Sequence, residues 1–412
     1  VPNPNQRVVV VGGGAAGFFA AIHCAVANPH AQVLIAERTT KVLAKVKISG
    51  GGRCNVTHAC FQVAEMSRHY PRGERFMKKA LAQFMTTDTV RWFQERGVPL
   101  KAEADGRMFP TTDNSQTIID CLVGEAQRQG VRLLLQHSVE AVAPGPAGFV
   151  LTIKDREPLQ CDRLIIASGG SPKESGLDWL KALGHQVAPP VPSLFTFNLP
   201  ANSVTALMGV TVPHVRARIA GTKLVQEGPL LVTHWGLSGP AILKLSAWGA
   251  RDIHQLGYQF VAQVHWLPTH TEDTLRLFLL EAKAGLGQRQ LANRNPLGLP
   301  ARLWEFFLQK IGLLPEKRWA DLGKADLNRL VNLLTNDSYP VEGKTTYKEE
   351  FVTCGGVALD QVDPLTMQSR VCPGLYLAGE VLDIDGITGG FNFQAAWTTG
   401  YLAGISAARP AE

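Results

Sequence analysis

The 412-residue chain has no apolar run of membrane-spanning length, which argues against a helical membrane protein. Cys24, Cys54, Cys60, Cys121, Cys161, Cys354 and Cys372 are scattered and odd in number, with no C-x-x-C pair and no Cys/His cluster at zinc spacing. That pattern excludes a disulfide scaffold, points to reduced thiols and leaves no metal site to expect. No internal repeat or low-complexity segment is present, so a solenoid is excluded. Charge is modest: 18% of residues are charged and the net is +6, which permits a polyanionic partner without requiring one. The first strand begins almost at the start of the sequence, leaving no room for a signal peptide, so a cytoplasmic location is expected. The hydrophobic content of 45% is that of a soluble globular protein, and the length predicts two or three domains.

The richest local pattern lies between Arg7 and Glu37. Val8-Val9-Val10-Val11 reads as a strand buried on both faces. Gly12-Gly13-Gly14-Ala15-Ala16-Gly17 follows at once and fits G-x-G-x-x-G, then an Ala-rich helix through Ala27, a strand at Val33-Leu34-Ile35-Ala36, and Glu37-Arg38. Gly12 suits the tight turn, Gly14 the approach of a pyrophosphate, and Gly17 close helix–strand packing. The helix N-terminus at Ala15 and Ala16 favours an anion, and Glu37 stands where an acid bonds ribose hydroxyls. This is the only full dinucleotide fingerprint in the chain.

A second glycine cluster follows Lys45 and Lys47: Ser49-Gly50-Gly51-Gly52-Arg53-Cys54-Asn55-Val56-Thr57-His58. Three successive glycines fit neither helix nor strand and allow the backbone to lie against something flat or anionic. Arg53 is expected to pair with a phosphate or stack on a ring, with Asn55 offering a short polar group. Cys54 reads either as a thiol activated by Arg53 or as packing beneath the loop. Residues 67–97 read as helical, with basic groups around an aromatic that either hold nucleic acid or form a solvated face, 106–110 as a turn, and 115–129 as a helix. Val131–Leu135, Val139–Val142 and Phe149–Lys154 read as strands, and the buried strand Arg163–Ile166 runs into Ser168-Gly169, where a doubly wound fold passes its dinucleotide.

Beyond Val191 the texture changes to short strands punctuated by Gly and Pro, including Thr233-His234-Trp235-Gly236-Leu237-Ser238-Gly239-Pro240. His234 is either an acid/base group or structural, and the absence of a full G-x-S-x-G discards serine hydrolysis. From Glu272 to Leu334 the period is helical. The chain then returns to its opening theme. Gly374–Glu380 is a strand ending in Gly379-Glu380, and Gly389-Gly390-Phe391-Asn392 opens a last helix whose N-terminus suits the pyrimidine side of a flavin.

Together Val9–Gly17, Glu37-Arg38, Ser49–Asn55, Thr233–Pro240, Thr353–Val357 and Gly379–Gln394 resemble the BaiN/RdsA-type, aminoacetone-oxidase-like, bacterial NAD(P)/FAD-dependent oxidoreductases. The resemblance implies an α/β fold: a Rossmann-like FAD-binding domain of the two-dinucleotide-binding-domain flavoprotein type, over 1–190 and 345–412. A barrel-like β-rich insert (191–270) and a helical insert (271–344) would interrupt it. It implies FAD contacts at Gly12, Gly14, Gly17, Glu37, Arg38, Gly51, Gly52, Arg53, Gly379, Glu380, Gly390, Phe391 and Asn392, with a backbone contact to adenine at Val139. Their neighbours Ala15, Ala16, Lys45, Ser49, Cys54, Asn55, Ser168, Gly169 and Gly389 complete the expected FAD site. Phe391 stands where relatives often carry Tyr, so no phenol hydroxyl is offered there.

Three activities are compatible with this reading. In the first, NAD(P)H is a transient reductant and hydride passes through flavin N5 to an electron-poor C=C, one candidate being a uridine of ribosomal RNA, which would become dihydrouridine. A proton donor is then needed, and Cys54, His58, His234 and Cys354 are the candidates. The second is a small-molecule amine oxidase or enone reductase. The third is a non-catalytic flavin-binding protein.

Overall fold

Val8 to Val11 are buried because Arg7–Val11 is the central strand of a five-stranded parallel sheet. Its order is Leu375–Leu377, Arg163–Ile166, Arg7–Val11, Gln32–Ala36, Arg132–Leu134. A strand covered on both faces has no polar side to show, hence the unbroken β-branched run. The computed structural model describes residues 6–145, 148–345 and 352–409. These form two compact units, one running to Ser193 and resuming at Val352, the other spanning 194–345.

In the first unit the first helix, Ala15–Ala27, packs against the last, Phe391–Ala407. Their contact is backbone on backbone. A Cβ on Gly400 would lie 2.6 Å from the Ala16 carbonyl oxygen, and one on Gly404 2.3 Å from that of Ala20. The last helix is therefore small-faced where it meets the first and aromatic beside it: the Trp397 ring lies 5.2 Å from Phe19, and its Nε1 donates to Val56 O at 2.9 Å.

The helical reading of 67–97 is corrected to three short helices, Val63–Ser67, Glu74–Leu81 and Thr86–Glu95. Pro71 and the left-handed Gly73 (φ +89°) break the period. The segment between them instead runs beside the chain leading to the last helix: Ile387 N–H donates to His69 O at 3.0 Å, and Arg72 bridges Asp385. Tyr70 is consequently buried, and the Arg72 side chain keeps only 11% of its exposure. Residues 107–110 form a strand, Arg107–Pro110, between Leu100–Ala102 and Thr57–His58, and the turn lies just before it, where Gly106 (φ +84°) donates to Glu103 O at 2.9 Å. None of the seven cysteines forms a disulfide. Among the described residues no helix is long and apolar enough to cross a membrane, and no group of His, Cys, Asp and Glu is arranged to hold a metal.

The second unit is built on a seven-member antiparallel sheet whose first and last members are consecutive in the chain. Asp337–Glu342 pairs with Gln259–His265, and after the left-handed Gly343 the next residues, Lys344–Thr345, pair with Thr196–Asn198. The sheet thus closes through residues 337–345, which belong to the strands and not to the helical segment. Alternate burial along Asp337–Glu342 is that of a half-buried strand. Helices Glu272–Leu286, Ala301–Lys310 and Lys324–Asn336 share a core with this sheet around Trp266, Trp304 and Trp319.

Two outcomes follow from the packing of the first unit. Gly404→Ala is expected to lower stability by about 1–3 kcal/mol, because the carbonyl it meets cannot move aside; urea unfolding checks this. His23, on the first helix, is buried among Phe19, Trp92 and Tyr401, and burial lowers its pKa from 6.5 to about 4. Folding keeps it neutral, so its contribution is present above pH 6.5 and is lost as pH falls toward 4, roughly 3 kcal/mol in all. Unfolding measured between those pH values should flatten in His23→Leu.

Candidate functional site

The turn after the central strand is held by its own backbone. Gly12 (φ +110°) donates to Ala36 O at 2.9 Å, and a Cβ there would lie 2.4 Å from Ala167 O. A Cβ on Gly17 would lie 1.9 Å from Gly12 O. Gly14 is different: it caps the first helix, and nothing lies within 4 Å of where its Cβ would be. The first-turn N–H groups of Ala15, Ala16 and Gly17 have no partner within the helix.

Glu37 ends the next strand facing this turn. Its Oε2 accepts from Gly13 N–H at 2.8 Å, and its Oε1 from Thr39 N–H at 2.9 Å. Arg38 is exposed beside it. His137 N–H donates to the Glu37 backbone carbonyl at 2.8 Å, two residues before the strand Val139–Gly145 begins. Ser168 adjoins Gly12, and Gly169 (φ +79°) has nothing within 4 Å of its missing Cβ.

The helix Ala44–Gly52 breaks at Ser49, whose hydroxyl donates to Val46 O at 3.0 Å. Gly50, Gly51 and Gly52 then all take positive φ, and Gly51 and Gly52 again have open space where a side chain would be. Arg53 lies over the Phe109 ring at 3.9 Å and pairs with Glu103 at 2.6 Å and Asp113 at 3.5 Å. Its guanidinium thus has a ring and two carboxylates of the chain itself as partners. With both its ends satisfied, the Asn55 amide donates to Thr57 O at 3.1 Å and accepts from Gly390 N–H at 3.0 Å.

That last bond joins the second glycine cluster to the start of the last helix. A Cβ on Gly390 (φ +95°) would lie 2.5 Å from Thr57 O, and His58 Nδ1 lies 3.0 Å from Gly389 O. A carbonyl accepts only, so the proton of His58 sits on Nδ1. Phe391 stacks on His58 at 4.7 Å and lies 4.3 Å from His69, and Tyr70 donates to its carbonyl at 2.8 Å. Gly379 N–H donates to Thr399 Oγ1 at 2.8 Å, and a Cβ on Gly379 would press on Ala16. The two helix starts are therefore tied into one region of the same unit. Asn392 spends both ends of its amide on Gly386, at 2.8 and 2.9 Å, and shapes the preceding loop.

Between the two starts stands a polar group from three segments. Lys45 Nζ meets Glu380 Oε2 at 2.6 Å, and Glu380 Oε1 accepts from Thr353 N–H at 2.9 Å. Thr353 Oγ1 is buried with no hydrogen-bond partner among the described residues. An orphaned buried hydroxyl costs free energy unless something meets it. Open space at Gly14, Gly51, Gly52 and Gly169, two sets of helix-start N–H groups and this hydroxyl fit an extended dinucleotide bearing phosphates and hydroxyls.

The four proton-donor candidates are dispersed. His58 lies at the site. Cys54 is fully buried with φ +62°, and burial pushes its thiol up to about 12, so it is protonated at neutral pH. Cys354 is buried opposite Val191 in a two-stranded sheet. His234 belongs to the second unit, exposed and edge-on to Trp235 at 4.4 Å on a hairpin tip. Sequence reading passed over His69, hidden in a run of basic residues, and over the buried Arg72–Asp385 pair, which Ser193 joins at 2.7 Å. Burial raises the Asp385 carboxyl above its ordinary range, while Arg72 and Ser193 pull it down.

The family profile described as HI0933-like protein Rossmann domain matches residues 6–406. A 3-dehydro-bile acid delta(4,6)-reductase of Clostridium scindens is 30% identical, over 98% of this chain and 99% of its own. A ribosomal RNA dihydrouridine synthase of Escherichia coli is 33% identical, over 95% of this chain and 96% of its own. The open conformation of a flavocytochrome c3 fumarate reductase superposes with a TM-score of 0.50 at 16% identity, covering 99% of this chain and 78% of that one, a likeness of fold. The match to the profile and to both relatives along nearly the whole sequence makes the chain a member of the HI0933-like Rossmann family of flavin-dependent oxidoreductases.

Proposed function

We propose that the first unit binds FAD and that the protein uses it, with NAD(P)H as transient reductant, to saturate an electron-poor C=C in a uridine of RNA. The observation that carries this reading is the seating of the last helix on the first, with Gly400 against the Ala16 carbonyl and Gly379 against Ala16, which puts two glycine-lined helix starts in one unit. Ala15 to Gly17 would take the pyrophosphate, Glu37 the ribose, Glu380 and Thr353 the ribityl hydroxyls, and the start of the last helix the pyrimidine edge. A flavin held this way supplies hydride transfer between a nicotinamide and the substrate.

The chain's own residues do the rest. Asn55 and His58 hold Gly389 and Gly390 in register by the contacts described, so the helix start is rigid before anything binds. Saturation of a C=C also needs a proton at the second carbon. With Cys54 protonated and enclosed, and His58 committed through Nδ1, we assign that proton to His69, half-buried against Phe391. The Clostridium relative favours a second reading, in which the same site saturates a small enone; the two relatives' names share saturation of a carbon–carbon double bond.

Because a side chain at position 14 meets no protein atom and Gly14 has an ordinary φ of −91°, Gly14→Val should fold normally. It should also weaken FAD binding at least about tenfold by filling the phosphate approach; fluorescence titration alongside thermal unfolding separates the two effects. The activity is read by anaerobic mixing of FAD-loaded protein with NADH or NADPH, then with uridine-containing ribosomal RNA or a small enone. Flavin bleaching by a nicotinamide and recovery with the RNA is the expected course. His69→Asn should slow the recovery by about 10²–10⁴ while leaving the bleaching unchanged. A flavin that neither nicotinamide bleaches removes the NAD(P)H-driven reading, and recovery with the enone alone moves the substrate to the second one.

A further inference from the structure

The chain's positive charge is unevenly placed. Residues 194–346 hold 16 Lys and Arg against 11 Asp and Glu, which is +5 of the net +6. Part of this excess lies on one outward face of the closed sheet. Along Thr211–Ile219 the side chains of Val215, Ala217 and Ile219 are buried, and Arg216 and Arg218 point the other way. Arg216 pairs across to His265, and Arg218 to Gln263, which in turn faces Ser338. Lys223 stands in the turn that follows. Together with Arg216 and Arg218 it lines a shallow depression of about 620 Å3.

The partners of these groups are chemically uneven. Glu227 is the one carboxylate in the depression, and it is taken by Arg216 at 2.6 Å and His214 at 2.9 Å. Arg218 meets an amide oxygen, that of Asn336 at 3.2 Å, and no carboxylate pairs with Arg218 or Lys223 among the described residues. Around them the face offers amides and hydroxyls: Gln263 donates to Ser338 Oγ at 3.3 Å, and Gln226 and Thr222 line the rim. Cations without carboxylates, set among neutral hydrogen-bonding groups on an open sheet, match a sugar–phosphate backbone. A neutral enone needs no such surface.

We infer that this sheet face, centred on Arg218 and Lys223, is where the second unit grips the phosphate backbone of an RNA substrate. The inference rests on the RNA arm of the proposed function. It is tested by fluorescence anisotropy of full-length, FAD-loaded protein with a labelled uridine-containing RNA stem-loop over a range of salt. The proteins compared are wild type, R218E/K223E, R218Q/K223Q, and K154E as a control in the first unit. The expected result is at least about tenfold weaker binding by R218E/K223E, with the log–log salt slope smaller by about 2, a lesser loss for R218Q/K223Q, and K154E equal to wild type. The Gln variant and the flavin spectrum guard against misfolding. Wild-type-like binding by both double variants overturns the inference and leaves the RNA reading standing. No binding of the stem-loop by wild type at low salt removes both.

Discussion

The first unit depends on one contact: the last helix lying backbone to backbone on the first. Gly400 and Gly404 meet the carbonyls of Ala16 and Ala20 at distances that admit no side chain. Residues separated by nearly the whole length of the sequence are thereby brought within hydrogen-bond reach. Gly379 presses on Ala16, and the glycine start of the last helix is carried toward the turn that opens the first. Close packing of this kind is a geometric condition rather than a store of energy, since its alternatives are overlapping atoms.

Given that contact, the polar groups around it have little freedom. Asn55 and His58 fasten the second glycine cluster to Gly389 and Gly390. Below them Gln394 accepts from Thr57 at 2.6 Å and Thr89 at 3.0 Å, fully buried. The Arg72–Asp385 pair and Ser193 fix the loop ahead of the last helix. A buried ion pair of this sort contributes less to stability than to holding one arrangement, because desolvation offsets much of the attraction. Removing Arg72 would leave the buried Asp385 carboxyl without the cation that favours its charged form.

Much of this was legible in the sequence because it was local. A β-branched run, three spaced glycines and an acid at the end of the next strand report a strand, a turn and a helix start without reference to distant residues. The break at 68–73 was not legible in the same way. Its polar and aromatic residues fit a helical period, but Tyr70 and Arg72 were claimed by Phe391 and Asp385, more than 300 residues away. The strand at 107–110 likewise needed its partner, Thr57–His58. Arg53 illustrates the limit for charged groups: its type allowed a phosphate or a ring, and nothing in sequence announced Glu103, Asp113 and Phe109 as its neighbours. Thr353 stood inside a motif, yet nothing in sequence marks a hydroxyl as both buried and unpartnered.

The central claim is that both helix starts act on a single ligand, and calorimetric titration of the cofactor-free full chain addresses it directly. FAD should bind one to one, and far more tightly than either AMP or riboflavin, each of which reaches only one of the two starts. Binding of AMP or riboflavin as tight as that of FAD, or protein that stays colourless after incubation with FAD, would contradict it.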